Sequence, residues 1–250
     1  MTPKQEPRII EPRERIIVAL DLSSGSAARA IMEELRGSVG AFKIGLQLFT
    51  AAGPAFVREA AESGFRIFLD LKFHDIPNTT AMAGIEAARL GVWMFNIHAA
   101  GGGEMMKRTA DDVHEACIRE HRQMPLVTAV TVLTSSDDST LAECGITRNA
   151  EEQALIFAKL AAQCGLDGVV ASARDSTAIR ENCPDKGFVI VSPGVRSARG
   201  TKDDQKRVMT PADAVIAGSD YLVIGRPILG AGDRIAAVDE IVSEVEAALM

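Results

Sequence analysis

Cysteine is scarce and scattered, with Cys117, Cys144, Cys164 and Cys183 the only four in the chain. No C-x-x-C pair occurs, which excludes a thioredoxin-type site and a zinc knuckle and fits a reduced, cytosolic setting. Basic charge is also short: 27 Lys and Arg face 34 Asp and Glu, so the net charge is −7 and no global positive field attracts nucleic acid. Long apolar runs are missing. No window reaches the ~18 residues of a membrane span, and the opening MTPKQEPRIIEPRER mixes charge with proline and lacks the apolar core of a signal peptide. No linker or low-complexity segment divides the chain. What is there looks globular, with 47% hydrophobic and 24% charged residues, far from the composition of a disordered chain. Residues 1–14 are expected to form a flexible arm and residues 15–250 a single catalytic domain.

Short apolar, β-branched runs recur along that domain at Ile16–Leu20, Ala41–Ile44, Ile67–Leu71, Met94–Ile97, Leu126–Val132, Gly168–Ala171, Phe188–Val191 and Tyr221–Ile224. Helical stretches lie between or after them at Ser26–Arg36, Pro54–Glu62, Thr79–Leu90, Glu104–Glu120, Glu151–Gln163, Ser176–Glu181, Pro211–Ala217 and Ile235–Leu249. Gly37, Gly64, Gly91 and Gly165 follow four of the patterns where a helix stop belongs. Strands that are nearly continuous apolar runs are buried on both faces, as in a parallel sheet covered by its crossover helices. Eight βα units point to a closed (β/α)8 TIM barrel. A doubly wound open sheet is the runner-up, but the fingerprint G-x-G-x-x-G is missing after the first strand, where the chain reads ALDLSSGS.

Such barrels build their sites at the C-terminal ends of the strands. Here those ends are polar: Asp21 after the first, Lys43 in the second, Asp70 and Lys72 in the third, His98 in the fourth, and Thr131 and Thr134 around the end of the fifth. Ser172, Ser192 and Gly225-Arg226 follow the sixth, seventh and eighth. Asp70 and Lys72 are two apart on a strand and share a face. Buried charges need partners, so Lys43, Asp70 and Lys72 are expected to meet at the mouth. One reading is a salt-bridge layer that only closes the barrel; the other is an array that does chemistry. Asn78 or Thr79 is expected to cap the helix after Pro77. Gly225-Arg226 stands where barrels commonly bind phosphate, and the loop Gly194–Thr210 suits a lid. His74 and His98 read as structural neighbours of the mouth, and Trp93 and Tyr221 as packing residues.

The segment DLKFHDIPNT, with VALD and FKIG before it and NIHA, VTVLTS, SPGVR and VIGRP after it in that order, resembles the orotidine 5′-phosphate decarboxylase family from Ile16 to the final helix. The resemblance implies a homodimeric (β/α)8 barrel that converts orotidine 5′-monophosphate to UMP and CO2 in pyrimidine synthesis, with no cofactor and no metal. It implies that Asp21 contacts the nucleoside, Lys43 bonds the ribose, Asp70 sits against the substrate carboxylate and Lys72 donates the proton. Asp75, Ile76 and Thr79 would reach the site of the partner subunit. Thr134 would hold the pyrimidine edge, and Arg196, Gln205, Gly225 and Arg226 the phosphate.

Loss of CO2 from C6 of an orotate ring leaves an sp2 carbanion with no adjacent carbonyl to delocalise it. The protein must therefore supply positive charge and a proton at that carbon, and Lys72 between Asp70 and Asp75 offers both. Two rivals remain: a metal-dependent sugar-phosphate lyase or synthase sharing the D-x-K-x-x-D spacing, and a non-catalytic phosphate-ligand binder.

Overall fold

The computed structural model describes residues 10–195 and 209–250. Eight strands, β1 (Ile16–Ala19), β2 (Ala41–Gly45), β3 (Ile67–Phe73), β4 (Met94–His98), β5 (Leu126–Val130), β6 (Gly168–Val170), β7 (Val189–Pro193) and β8 (Tyr221–Ile224), form one closed barrel in chain order. Every neighbouring pair is parallel, and β8 closes on β1 with Ile16 opposite Leu222. The helices are α1 (Gly25–Glu34), α2 (Leu46–Glu62), α3 (Pro77–Arg89), α4 (Gly102–Arg119), α5 (Asp138–Glu143), α6 (Ala150–Gln163), α7 (Ser176–Asn182), α8 (Pro211–Ile216), α9 (Arg226–Leu229) and α10 (Arg234–Leu249). This is the expected (β/α)8 TIM barrel.

The two-residue side-chain period divides each strand between two cores. Ile16, Val18, Phe42, Ile44, Ile67, Leu69, Phe95 and Ile97 face outward and pack under the helices. Ile17, Ala19, Ala41, Phe68, Met94, Val130, Val191 and Val223 fill the barrel interior. Continuing that inward row towards the C-terminal ends gives Lys43 after Ala41, Asp70 after Phe68 and Asn96 after Met94. The same alternation that packs the barrel therefore delivers polar groups to its mouth.

Gly37, Gly64, Gly91 and Gly165 all have φ between 76° and 84°, the left-handed region that a helix stop demands and glycine enters without strain. The second helix begins earlier than expected, at Leu46, because Gly53 (φ 72°, ψ 178°) and Pro54 break it into two pieces within one segment. Helices α5 and α9 were not anticipated; at six and four residues they are too short to show a period. Neither Asn78 nor Thr79 caps α3. Ile76 is the N-cap residue and Pro77 starts the helix, while the Thr80 hydroxyl accepts from the Asp75 N–H at 3.1 Å. Within the expected arm, Pro12–Arg15 form a 3-10 turn, and Arg13 bonds Asp239 of α10 at 2.8 Å and the Ser38 carbonyl at 2.9 Å.

Candidate active site

Strands β1, β2 and β3 bring four charged side chains together. The Lys43 ammonium lies 3.2 Å from Asp21 Oδ1 and 3.3 Å from Asp70 Oδ2, and Lys72 Nζ lies 2.6 Å from Asp70 Oδ1. Asp70 is 9% exposed. Burial pushes its carboxyl upward, but the charges of Lys43 and Lys72, with the hydrogen bonds from Lys72 and Asn96, outweigh burial and hold it below the usual carboxylate range. A glycine after Ile44 is part of this geometry, since a Cβ on Gly45 would stand 2.9 Å from Lys43 Nζ.

The third strand is not regular where it matters. Leu69 pairs with Phe95, and the ladder resumes only at Phe73 opposite Ile97, so β3 bulges through Asp70, Leu71 and Lys72. Lys72 takes φ 54°, a left-handed conformation that costs a non-glycine residue about 1–2 kcal/mol. Its N–H, released from the ladder, donates to Asn96 Oδ1 at 2.8 Å, while Asn96 Nδ2 donates to Asp70 Oδ1 at 2.7 Å. Sequence reasoning assigned Asn96 no role. Its one signal was a carboxamide inside the apolar strand MFNIH.

Around this row a hollow of about 150 Å³ is lined by Lys43, Phe68, Asp70, Lys72, Thr134 and Pro193, with Val130, Val170, Ala171 and Val223 as its apolar wall. Thr134 is exposed in it, whereas the Thr131 hydroxyl is buried and donates to the Val170 carbonyl. Ser192 also turns away, to a buried hydroxyl contact with Ser219 at 2.8 Å. The rings of His74 and His98 stack 5.4 Å apart at the mouth. Burial, then His74 and Lys72, hold His98 below its ordinary value and so neutral near pH 7. Gly225 lies beside Asp21, and Arg226, the first residue of α9, is exposed. Arg196 and Gln205 lie outside the described residues.

Asp75 is different. Its carboxylate is exposed and accepts the Ile76 N–H at 2.7 Å, and among the described residues no ion pair joins it to Lys72. Ile76 beside it is 66% exposed, Thr79 is exposed, and Leu46, the first residue of α2, is 59% exposed.

A larger hollow of about 490 Å³ opens at the opposite end of the barrel, around Arg66, Trp93 and Tyr221. There Arg66 stacks on Trp93 at 4.0 Å and Trp93 meets Tyr221 edge to face at 5.1 Å. It is a packed cluster at the N-terminal ends of the strands, away from the charged row.

Known proteins similar to this chain share one name. Proteins named orotidine 5′-phosphate decarboxylase from Geobacter sulfurreducens, Moorella thermoacetica and Syntrophotalea carbinolica are 53%, 51% and 50% identical over 240, 243 and 241 residues, or 95%, 97% and 96% of this chain and 98%, 96% and 98% of theirs. The crystal structure of an orotidine 5′-phosphate decarboxylase from Lactobacillus acidophilus matches with a TM-score of 0.80 at 37% identity, over 92% of this chain and 98% of that one. Residues 14–241 match the model of the Orotidine 5′-phosphate decarboxylase / HUMPS family, and the chain belongs to that family.

Proposed function

We propose that this protein is a carboxy-lyase that decarboxylates orotidine 5′-monophosphate to UMP and CO2 in pyrimidine biosynthesis. The observation that carries the reading is the row Asp21, Lys43, Asp70 and Lys72 at the mouth of the barrel. With the substrate carboxylate near Asp70, the C6–carboxylate bond breaks, CO2 leaves, and the electron pair stays on C6. The Lys72 ammonium stabilises that charge and then transfers its proton to C6. Electrostatic stabilisation of this kind does not reorganise during the reaction, because both ammonium groups are already fixed on Asp70.

The remaining residues bind. Asp21 and Lys43 hold the ribose and Thr134 the pyrimidine edge. Gly225 and Arg226, with Arg196 and Gln205, hold the phosphate. The phosphate is remote from C6, so its binding energy is available to exclude water and raise the rate of the chemical step. Asp75, Ile76 and Thr79 act across a C2 dimer, completing the neighbouring site. In support, among the described residues no ion pair joins Asp75 to its own Lys72, and Ile76 beside it is exposed, an apolar side chain available to a second copy.

The rival metal-dependent sugar-phosphate reaction fits the site less well. Both oxygens of Asp70 face ammonium groups, at 2.6 and 3.3 Å, and two cations already beside this carboxylate disfavour a divalent ion there. The unpaired cysteines suit a reducing compartment, and we assign the protein to the cytoplasm. Among the described residues no helix is long and apolar enough to cross a membrane. The deciding experiment is an ultraviolet assay of orotidine 5′-monophosphate consumption in excess EDTA. Turnover is expected; a protein that binds the nucleotide without consuming it, or consumes it only with added metal, overturns the reading.

A further inference from the structure

We propose that Asn96 is a positioning residue for the decarboxylation, a clamp whose single carboxamide sets both the Lys72 backbone and the Asp70 carboxylate. The inference rests on the decarboxylase reading above. Asn96 is fully buried at 0% exposure and lies on β4 directly beside the bulge in β3. Where β3 leaves its ladder, the Lys72 N–H has no strand carbonyl to meet. A buried donor left without a partner is costly. Asn96 Oδ1 takes the place of that carbonyl, at 2.8 Å. The other half of the same amide donates to Asp70 Oδ1 at 2.7 Å, the oxygen that also accepts from Lys72 Nζ at 2.6 Å. The three groups close a ring: Lys72 backbone to Asn96, Asn96 to Asp70, Asp70 to the Lys72 ammonium.

Only one orientation of the amide fits. Turned over, its NH2 would face the Lys72 N–H and its oxygen the Asp70 carboxylate, two repulsive contacts. The ring also explains how Lys72 stays at φ 54°, a conformation that persists only where surrounding contacts over-determine it. Leucine would leave the N–H unmet, and aspartate would set a second carboxylate against Asp70. The ammonium that must face C6 is thus aimed by a residue that never touches substrate.

Asn96→Ala and Asn96→Asp test this alongside the wild type, with kcat and KM for orotidine 5′-monophosphate, affinity for UMP, and thermal melts. Misplacing a reacting group by about 1 Å costs up to ~100-fold, so Asn96→Ala is expected to lower kcat by about 10- to 100-fold with KM and UMP affinity within about threefold. Asn96→Asp carries the distinguishing signature. The groups around it are Lys43 on β2, Asp70 and Lys72 on β3, and His98 on β4, while β5 offers only the uncharged Thr128. When protonated, the introduced carboxyl presents one acceptor and one donor, as the carboxamide does; when ionised, it repels Asp70. The kcat of Asn96→Asp is therefore expected to recover towards the wild-type value as the pH falls from about 8 to about 5, as the coupled carboxyl pair gains a proton.

A residue serving only the fold would not change the shape of that profile. Variants with kcat within about twofold of wild type, or an Asn96→Asp profile parallel to the wild type's, overturn the inference while leaving the decarboxylase reading intact. A wild type without turnover overturns both. If one variant fails to fold, the other decides; if neither folds, Asn96 belongs to the fold alone and the inference fails.

Discussion

Replacing Asp70 by asparagine removes the one negative charge between two ammonium groups while almost preserving shape. At an effective dielectric of ~20, unit charges at the observed 3.3 and 2.6 Å attract by about 5 and about 6 kcal/mol before desolvation is subtracted. Most of that attraction offsets the burial of the three charges, and the measured penalty for removing one partner of a buried pair is about 3–5 kcal/mol. The Lys72 side chain is 30% exposed, so the lower end applies. Asparagine adds a second fault, because its NH2 must face a donor, either Lys43 Nζ or the pair formed by Lys72 Nζ and Asn96 Nδ2. The expected loss at pH 7 is about 3 kcal/mol, or roughly 6–12 °C in a thermal melt of a chain this size.

The pH dependence has a definite sign. The Asp70 carboxyl is held below its ordinary value, so its contribution is fully present above the usual carboxylate range and is lost as the pH falls through the depressed value. The gap between wild type and Asp70→Asn should stay constant from neutral pH down to about 4 and close only below that. Melting or urea titration at a series of pH values measures it. A variant as stable as the wild type at pH 7, or a gap unchanged in acid, would show that Asp70 is not held by its lysines as described.

Mixing an inactive Lys72→Ala dimer with an inactive Asp75→Ala dimer under exchange should restore activity to about a quarter of wild type per subunit when half the dimers are hybrid, since each hybrid keeps one intact site; hybrids as inactive as the parents would place Asp75 in its own subunit's chemistry. Burial raises the Asp167 carboxyl to about 6, so its ionisation destabilises the fold as the pH rises from about 4 through 6. Asp167→Asn, which keeps an acceptor for the Val127 N–H, should gain about 1–2 kcal/mol at pH 8 and nothing at pH 4 in urea titrations; equal shifts at both values would refute the assignment. Gly45→Ala would press a methyl group on Lys43 Nζ, 2.9 Å away. Because a flexible side-chain end can yield, it should lower kcat by about tenfold or more with little change in melting, and unchanged kinetics would show that Lys43 needs no fixed place.

Much of this was legible because the fold and the site share one periodicity. Ala41 and Phe68 fill the barrel interior, and the same two-residue step carries Lys43 and Asp70 inward at the mouth. What the sequence did not reveal lies where that step breaks. The bulge in β3 separates two equivalent-looking residues, giving Lys72 a left-handed backbone that no pattern of apolar and polar letters records. Asn96 was passed over for the same reason, since its value depends on an N–H freed in a neighbouring strand. The cap of α3 was misplaced because Thr80, a turn further on, had already bonded the Asp75 backbone.

The two ends of the barrel treat their polar residues differently, and the difference supports the proposed site without appeal to any motif. At the N-terminal end the acids bond within the fold: Asp167 accepts the Val127 N–H in β5, and Asp220 accepts the Ile190 N–H and the Arg180 guanidinium. The C-terminal end is left incomplete. Asp70 is buried with two cations, Lys72 is held in a strained backbone, the Asp75 carboxylate bonds, among the described residues, only the N–H of its neighbour, and Ile76 lies two-thirds exposed. The left-handed backbone of Lys72 costs stability and Ile76 leaves apolar surface uncovered, and all four groups sit at the end of β3 or on the connection that follows. Strain and unpaired surface concentrated at one place persist where another molecule relieves them. On the reading proposed above, the charged row would be relieved by an anionic substrate and Ile76 by a second copy of the chain.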